Sequence, residues 1–184
     1  MSKIGIFMAD GCEEIEGLTV VDLMRRAGVE IIMISLTDQK QVTGSHGIAF
    51  LADELLEKTD FDSLDGIVLP GGLDGTQKLG KNETVNQVIR TFAEEGKLVS
   101  AICAAPSVLG TAGILNGKKA ACYPGFEDKL TGAEICMDEV CVSDNIITSR
   151  GMGTAIPFSL AIAANLLDQE AADQLAKTII YNLK

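Results

Sequence analysis

Short, continuous apolar runs alternate along this chain with segments of helical spacing, and that alternation leaves few folds open. Lys3–Met8, Val29–Ser35, Gly66–Leu69 and Leu98–Ile102 read as strands. They lack the in–out polarity of a half-exposed antiparallel sheet, so both faces must be covered. Between the first two, Glu14–Ala27 carries Ile15, Leu18, Val21 and Met24 at helical spacing and is closed by Gly28. Further helices are expected over about Glu83–Glu95, Ala104–Ala112, Thr154–Leu167 and Gln169–Leu183. Thr43–Gly47 reads as the turn of a hairpin, as does Ser143–Asn145 between Cys141-Val142 and Ile146–Thr148. Such alternation gives a mostly parallel sheet with helices on both faces, an α/β sandwich. No linker, repeat or low-complexity segment divides residues 1–184, which are expected to form one domain.

Charge narrows the partners. Lys plus Arg number 15 against 26 Asp plus Glu, a net charge of −11. A surface that acidic argues against nucleic acid or anionic membrane as the main partner. No apolar run approaches the roughly 18 residues of a membrane span. The N-terminal residues pass straight into a strand pattern, with no signal-peptide core. The five cysteines (Cys12, Cys103, Cys122, Cys136, Cys141) contain no C-x-x-C pair, and there is one histidine. The expectation is a cytoplasmic protein with reduced thiols and no zinc site.

In a sheet of this type ligands bind beyond the carboxyl ends of the strands, here after Met8, Leu69 and Ile102. After Ile102 the chain turns from strand to helix at Cys103, among Ala101, Ala104 and Ala105. Small neighbours permit the sharp turn of a nucleophile elbow, although alanines stand where G-x-S-x-G has glycines. A thiol at a helix N-terminus faces free N–H groups and the positive end of the dipole, which favour thiolate. The alternative is an inert core cysteine. After Leu69, Pro70-Gly71-Gly72 is either a plain turn or a pair of N–H groups aimed at Cys103 as an oxyanion hole. No G-K-[ST] follows, so it is not a phosphate loop. After Met8, Glu13 and Glu14 read as acids favoured by the helix dipole. Glu16 lies one turn further in. A carboxyl that meets the Cys103 sulfur must share a proton with it, because adjacent anions repel.

Five segments, Gly11–Glu16, Val21–Gly28, Leu69–Gly72, Ala101–Pro106 and Thr148–Thr154, together resemble the ThiJ/PfpI superfamily. Within it they resemble the branch of the Parkinson's-disease-associated protein deglycase. The segments follow the family's order and span nearly the whole chain. The resemblance implies a flavodoxin-like three-layer sandwich and a homodimer. It implies Cys103 as the reactive cysteine, Glu16 as its hydrogen-bonding acid, and Gly71, Gly72 and Ala104 as the oxyanion pocket. It further implies cofactor-free glyoxalase III or deglycase-type conversion of α-oxoaldehydes, such as methylglyoxal to lactate. The alternative is an oxidative-stress sensor or chaperone-like protein whose Cys103 is oxidised to sulfinic acid.

The chain departs from that pattern in ways that matter. Tyr123 precedes Pro124 where the mammalian members have a histidine, and a phenol donates a hydrogen bond but is no base at neutral pH. Tyr123, Pro124 and His46 are expected at the substrate pocket, His46 lying where the mammalian members have a basic residue. No histidine follows Cys103 in the chain, which argues against an amidotransferase, and Ala104 stands where the protease branch has histidine. The other four cysteines read as bystanders, Arg25 and Arg26 as salt-bridge formers, and Arg150 as a loop-ordering residue.

Overall fold

The computed structural model describes residues 2–181. Strand β1 (Lys3–Met8) leads through helix α1 (Glu14–Arg26) to β2 (Glu30–Ser35), followed by β3 (Gln41–Thr43), β4 (Ala49–Leu51) and the two-residue β5 (Glu54–Leu55). β6 (Gly66–Leu69) leads through α2 (Leu73–Lys81) and α3 (Glu83–Glu94) to β7 (Leu98–Ile102) and α4 (Pro106–Ala112). The chain continues through β8 (Lys119–Ala120), β9 (Glu134–Ile135), β10 (Val140–Ser143) and β11 (Ile146–Ser149) to α5 (Ala155–Leu166) and α6 (Gln169–Thr178).

Seven strands form the central sheet in the order β10-β11-β7-β6-β1-β2-β5. All neighbours run parallel except β10, which pairs antiparallel with β11. The pleat divides each strand between two cores. Ile4, Ile6 and Met8 pack with Val20 and Met24 of α1 and Phe158 and Ile162 of α5. Phe7, Ile67, Leu69, Val99 and Ala101 pack on the other face with Leu79, Ile89, Phe92 and Leu109 of α2, α3 and α4. This is the three-layer flavodoxin-like sandwich, and it explains why the strands are apolar on both sides.

Topology sets the site. From β1 the chain crosses over α1 to one side of the sheet; from β6 it crosses over α2 and α3 to the other. Helices α1 and α2 therefore diverge from N-termini that meet above the carboxyl ends of β1 and β6, and a crevice opens at this switch point.

Several boundaries differ from expectation. Helix α4 begins at Pro106 rather than Ala104, because proline fixes the first helical position and residues 103–105 form the turn. The sequence reading did not include α2. Helix α5 is preceded by a 3₁₀ turn over Met152–Thr154. Helix α6 stops at Thr178, short of the expected Leu183, and Ile180 takes φ 59; residues 182 and 183 lie outside the described residues. Gly28 takes the expected left-handed φ of 78 after α1.

Two helical glycines should respond oppositely to alanine. A Cβ on Gly110 of α4 would collide with the Lys129 carbonyl, whereas one on Gly80 of α2 finds its nearest neighbour, Val108 Cγ2, at 3.6 Å. Gly110→Ala is expected to lower unfolding free energy by about 1–3 kcal/mol. Gly80→Ala is expected to raise it by about 0.5–1 kcal/mol. Urea unfolding of both variants checks the pair.

Candidate active site

The elbow after β7 is strained by design. Cys103 takes φ 66, a left-handed conformation that costs a non-glycine residue about 1–2 kcal/mol. The turn is pinned from both sides: the Cys103 N–H donates to the Ser149 carbonyl at 3.0 Å, and the Tyr123 N–H donates to the Cys103 carbonyl at 2.8 Å. Ala101, Ala104 and Ala105 around it are buried, which is why larger residues are not found there. The result is a half-buried thiol raised into the crevice.

Glu16, on the first turns of α1, comes to the same place. It is 1% exposed. Its Oε2 accepts the Gly71 N–H at 2.9 Å, and its carboxyl lies beside the Cys103 thiol across the Cα of Gly71. The fit requires glycine at 71: a Cβ there would lie 2.5 Å from both Glu16 Oε2 and Cys103 Cβ. Gly72 takes φ 86 and presses on the backbone of Gly11 and Glu13, binding the starts of α1 and α2 together. The Glu13 N–H donates to the Gly71 carbonyl at 3.0 Å.

The two acids compete for protons. Burial pushes the Glu16 carboxyl up to about 7, against the hydrogen bonds from Cys103 and Gly71. Burial, then the charge and hydrogen bond of Glu16, push the Cys103 thiol up to about 12, against the N–H groups of Gly72 and Ala104. The sequence reading expected the helix N-terminus to favour thiolate; the later start of α4 weakens that contribution, and burial with Glu16 outweighs it. The sign reverses when Glu16 is protonated. Its charge no longer opposes the thiolate, and its O–H becomes a donor to sulfur. Either arrangement with one shared proton, thiol beside carboxylate or protonated Glu16 beside thiolate, avoids two adjacent anions, and the second is the nucleophilic one.

Above the thiol lies a cleft of ≈ 520 Å³ lined by the loops that end β1, β3, β6 and β7, together with Tyr123 and Phe126. Of the sequence-predicted residues, Cys103, Gly72, Ala104, Tyr123 and His46 line it. Glu16 and Gly71 form its floor behind the sulfur. Pro124 is exposed and is not among the lining residues, because the turn after Tyr123 carries it outward. The carboxylates of Glu13 and Asp74 also border the cleft, and its one basic side chain is His46.

Sequence reasoning missed several members. Glu14, an acid that the helix dipole alone would favour at its place in the sequence, is 2% exposed and clasps the β3–β4 turn. Its Oε1 accepts the N–H groups of His46 at 2.8 Å and Ile48 at 3.3 Å. Burial alone would raise its carboxyl; these hydrogen bonds, with its own N–H and the His46 ring, hold it at about 2. Glu13, Glu14 and His46 bring two carboxylates and an imidazole within 4.8 Å of one another, but Glu14 is already occupied in holding the turn. Gly151 lies under Tyr123, where a Cβ would stand 3.3 Å from the ring and 3.9 Å from Glu16 Oε1; its sequence signal is its place in the Thr148–Thr154 segment. Arg25 and Arg26 pair with Asp53 and Asp22, as expected. Arg150 donates to the Met137 carbonyl at 3.3 Å.

Comparison with known proteins now decides the lineage. The pattern of the DJ-1/PfpI family matches residues 2–165. The chain belongs to that family. Protein dj-1beta of Drosophila melanogaster is 36% identical over 99% of this chain and 100% of its own. The glutathione-independent glyoxalase DJR-1.2 of Caenorhabditis elegans is 31% identical over 97% of this chain and 95% of its own. Oxidized DJ-1 of Toxoplasma gondii superposes with a TM-score of 0.95 at 35% identity, over the full length of both chains. In this chain the elbow, the Gly71-Gly72 turn and the acid of α1 converge on one point. Among the described residues no helix is long and apolar enough to cross a membrane.

The two buried carboxyls should leave opposite marks on stability. Glu16 contributes stability that is complete below 4.5 and lost as pH rises through about 7. Between about pH 5 and about pH 9, wild type is expected to lose about 3 kcal/mol that Glu16→Gln retains, read by urea unfolding. Equal losses in both proteins would refute the raised carboxyl. Glu14, held below 4.5, loses its contribution as pH falls toward about 2. Glu14→Gln is expected to speed amide hydrogen exchange at His46 and Ile48 by about tenfold or more at neutral pH.

Proposed function

We propose that the protein is a cysteine-dependent glyoxalase of the glutathione-independent kind, converting small α-oxoaldehydes to 2-hydroxy acids, methylglyoxal to lactate among them. The observation that carries this reading is the Glu16 carboxyl buried against the Cys103 thiol and the Gly71 N–H at the floor of an open cleft. The Cys103 thiolate adds to the aldehyde carbon, and the new alkoxide faces the N–H groups of Gly72 and Ala104. Protonated Glu16 supplies the alkoxide's proton and becomes a carboxylate. It then removes the hydrogen of that carbon as a proton, leaving an enediolate. Returning the proton to the neighbouring carbon yields a thioester of the 2-hydroxy acid. Water cleaves the thioester, restoring the thiol; the sum is substrate plus one water, with no net oxidation. The scheme uses no metal or organic cofactor. It gives Tyr123 a hydrogen-bonding role only.

The cleft's border favours neutral substrates, since Glu13 and Asp74 would repel a phosphorylated or carboxylated aldehyde. The protein would act as a homodimer, closing the groove of ≈ 510 Å³ whose apolar floor of Ile15, Leu18, Ile156 and Ile179 is bordered by the Asp22–Arg26 ion pair. A second reading, peroxide sensing through Cys103, draws on the same half-buried sulfur and the donors that would hold a sulfinate.

The deciding assay is lactate formation from methylglyoxal without glutathione. Wild type is expected to turn over and Cys103→Ser to be inactive. Glu16→Gln is expected to lower kcat by about 10²–10⁴ while Cys103 remains oxidisable by peroxide. Absence of lactate from folded, reduced wild type would overturn the enzymatic reading in favour of sensing.

A further inference from the structure

A second cavity, of ≈ 200 Å³, lies beside the cleft between α2 and α4 and takes no part in the chemistry above. Leu73 and Phe126 line both, so the two are neighbours across a shared wall. Ala104 lines the cleft and Ser107 the cavity; likewise Asp74 lines the cleft and Gln77 the cavity. Either step is three residues, about one helical turn or 5 Å. Thr76 also lines the cavity. Its N–H donates to the Gly72 carbonyl at 2.8 Å, yet its buried hydroxyl has no hydrogen-bond partner among the described residues. Such a group calls for an explanation, and a ligand atom supplies one. The other polar groups of the cavity divide by role. The Ser107 hydroxyl donates to the Ala104 carbonyl at 2.6 Å, and the Thr111 hydroxyl donates to the Ser107 carbonyl at 3.0 Å. Their protons are spent, and lone pairs remain. The Lys129 ammonium, 4.3 Å from the centre of the Phe126 ring, has only protons to give. A carboxylate or phosphate would satisfy Lys129 but has no proton for Ser107 or Thr111. A hydroxyl both donates and accepts, and so matches all of them.

We propose that this cavity is a subsite for the hydroxylated tail of a longer, sugar-derived α-oxoaldehyde whose aldehyde end reaches Cys103. The inference rests on the glyoxalase reading of the cleft and names a substrate class for it. The cavity has the room of about six water molecules, enough for a tail of about three hydroxylated carbons. In an extended six-carbon chain the first and fifth carbons stand about 5 Å apart, the length of the step from cleft to cavity. The tail hydroxyls accept from Thr76 and Lys129 and donate to Ser107 and Thr111. The tail is neutral, as the carboxylates of Glu13 and Asp74 at the cleft's border require. Methylglyoxal ends in a methyl group and leaves the cavity unused. The chemistry at the aldehyde end is unchanged: substrate plus one water gives the 2-hydroxy acid, with the tail intact.

The test uses 3-deoxyglucosone, a six-carbon α-oxoaldehyde with three tail hydroxyls, beside methylglyoxal. In the full chain carrying Cys103→Ser, which binds without turnover, amide chemical shifts are recorded with each compound. 3-Deoxyglucosone is expected to move the signals of Thr76, Gln77, Ser107 and Thr111, and methylglyoxal to leave them in place. In the active enzyme, Thr76→Val and Lys129→Met are each expected to lower the ratio of kcat/KM for 3-deoxyglucosone to that for methylglyoxal by about tenfold. Shifts from 3-deoxyglucosone confined to the signals that methylglyoxal moves, or a ratio unchanged in both variants, would overturn the subsite. If wild type turns over neither compound, the glyoxalase reading falls, and the shift pattern alone decides the cavity.

Discussion

A carboxyl with nowhere to put its charge organises this molecule. Glu16 is buried at the base of α1, and its partners are one backbone N–H and one thiol. Neither is a cation, so the carboxyl keeps its proton to an unusually high pH, and the proton is available to the sulfur. Everything near it accommodates that contact. Gly71 lacks a side chain because the carboxyl and the thiol occupy its place. Cys103 accepts a strained backbone because the strain aims its sulfur at Glu16.

The sheet's order of strands makes the meeting possible. Because the crossovers from β1 and β6 depart in opposite directions, α1 and α2 leave a gap, and the elbow after β7 projects beside it. The gap is narrow: Gly72 and Gly75 let the turn after β6 and the start of α2 lie directly on the Gly11–Glu13 backbone. One wall of the cleft comes from a hairpin that belongs to neither crossover. It is tied down by Glu14, so the helix that supplies the acid also fixes the loop that carries His46. Two residues of one helical turn thus perform opposite electrostatic tasks. One carboxyl holds its proton to higher pH by isolation, and the other is kept ionised by N–H donors.

Much of this was legible in the sequence, for physical reasons. Unbroken apolar strands announce a sheet covered on both faces, and the small residues around Cys103 announce a turn too tight for larger ones. Helix α2 was not legible because Leu73–Lys81 contains two glycines, which are poor helix formers, and only two large apolar residues. Glu14 was misread because an acid in a first helical turn is satisfied by the dipole in most contexts; only the distant hairpin distinguishes it.

The ends of the sheet have a consequence for behaviour in a crowded solution. One edge is β5, two residues long, and the other is β10, reversed in direction relative to the strand beside it. A neighbouring chain seeking a backbone ladder would find only two residues on the first and four on the second. Lys40 adds a charge beside the short edge, its ammonium donating to the Asp53 carbonyl at 2.5 Å. The sandwich is thereby guarded against growing sideways into fibrils, leaving its helical faces as the surfaces through which copies of it can meet.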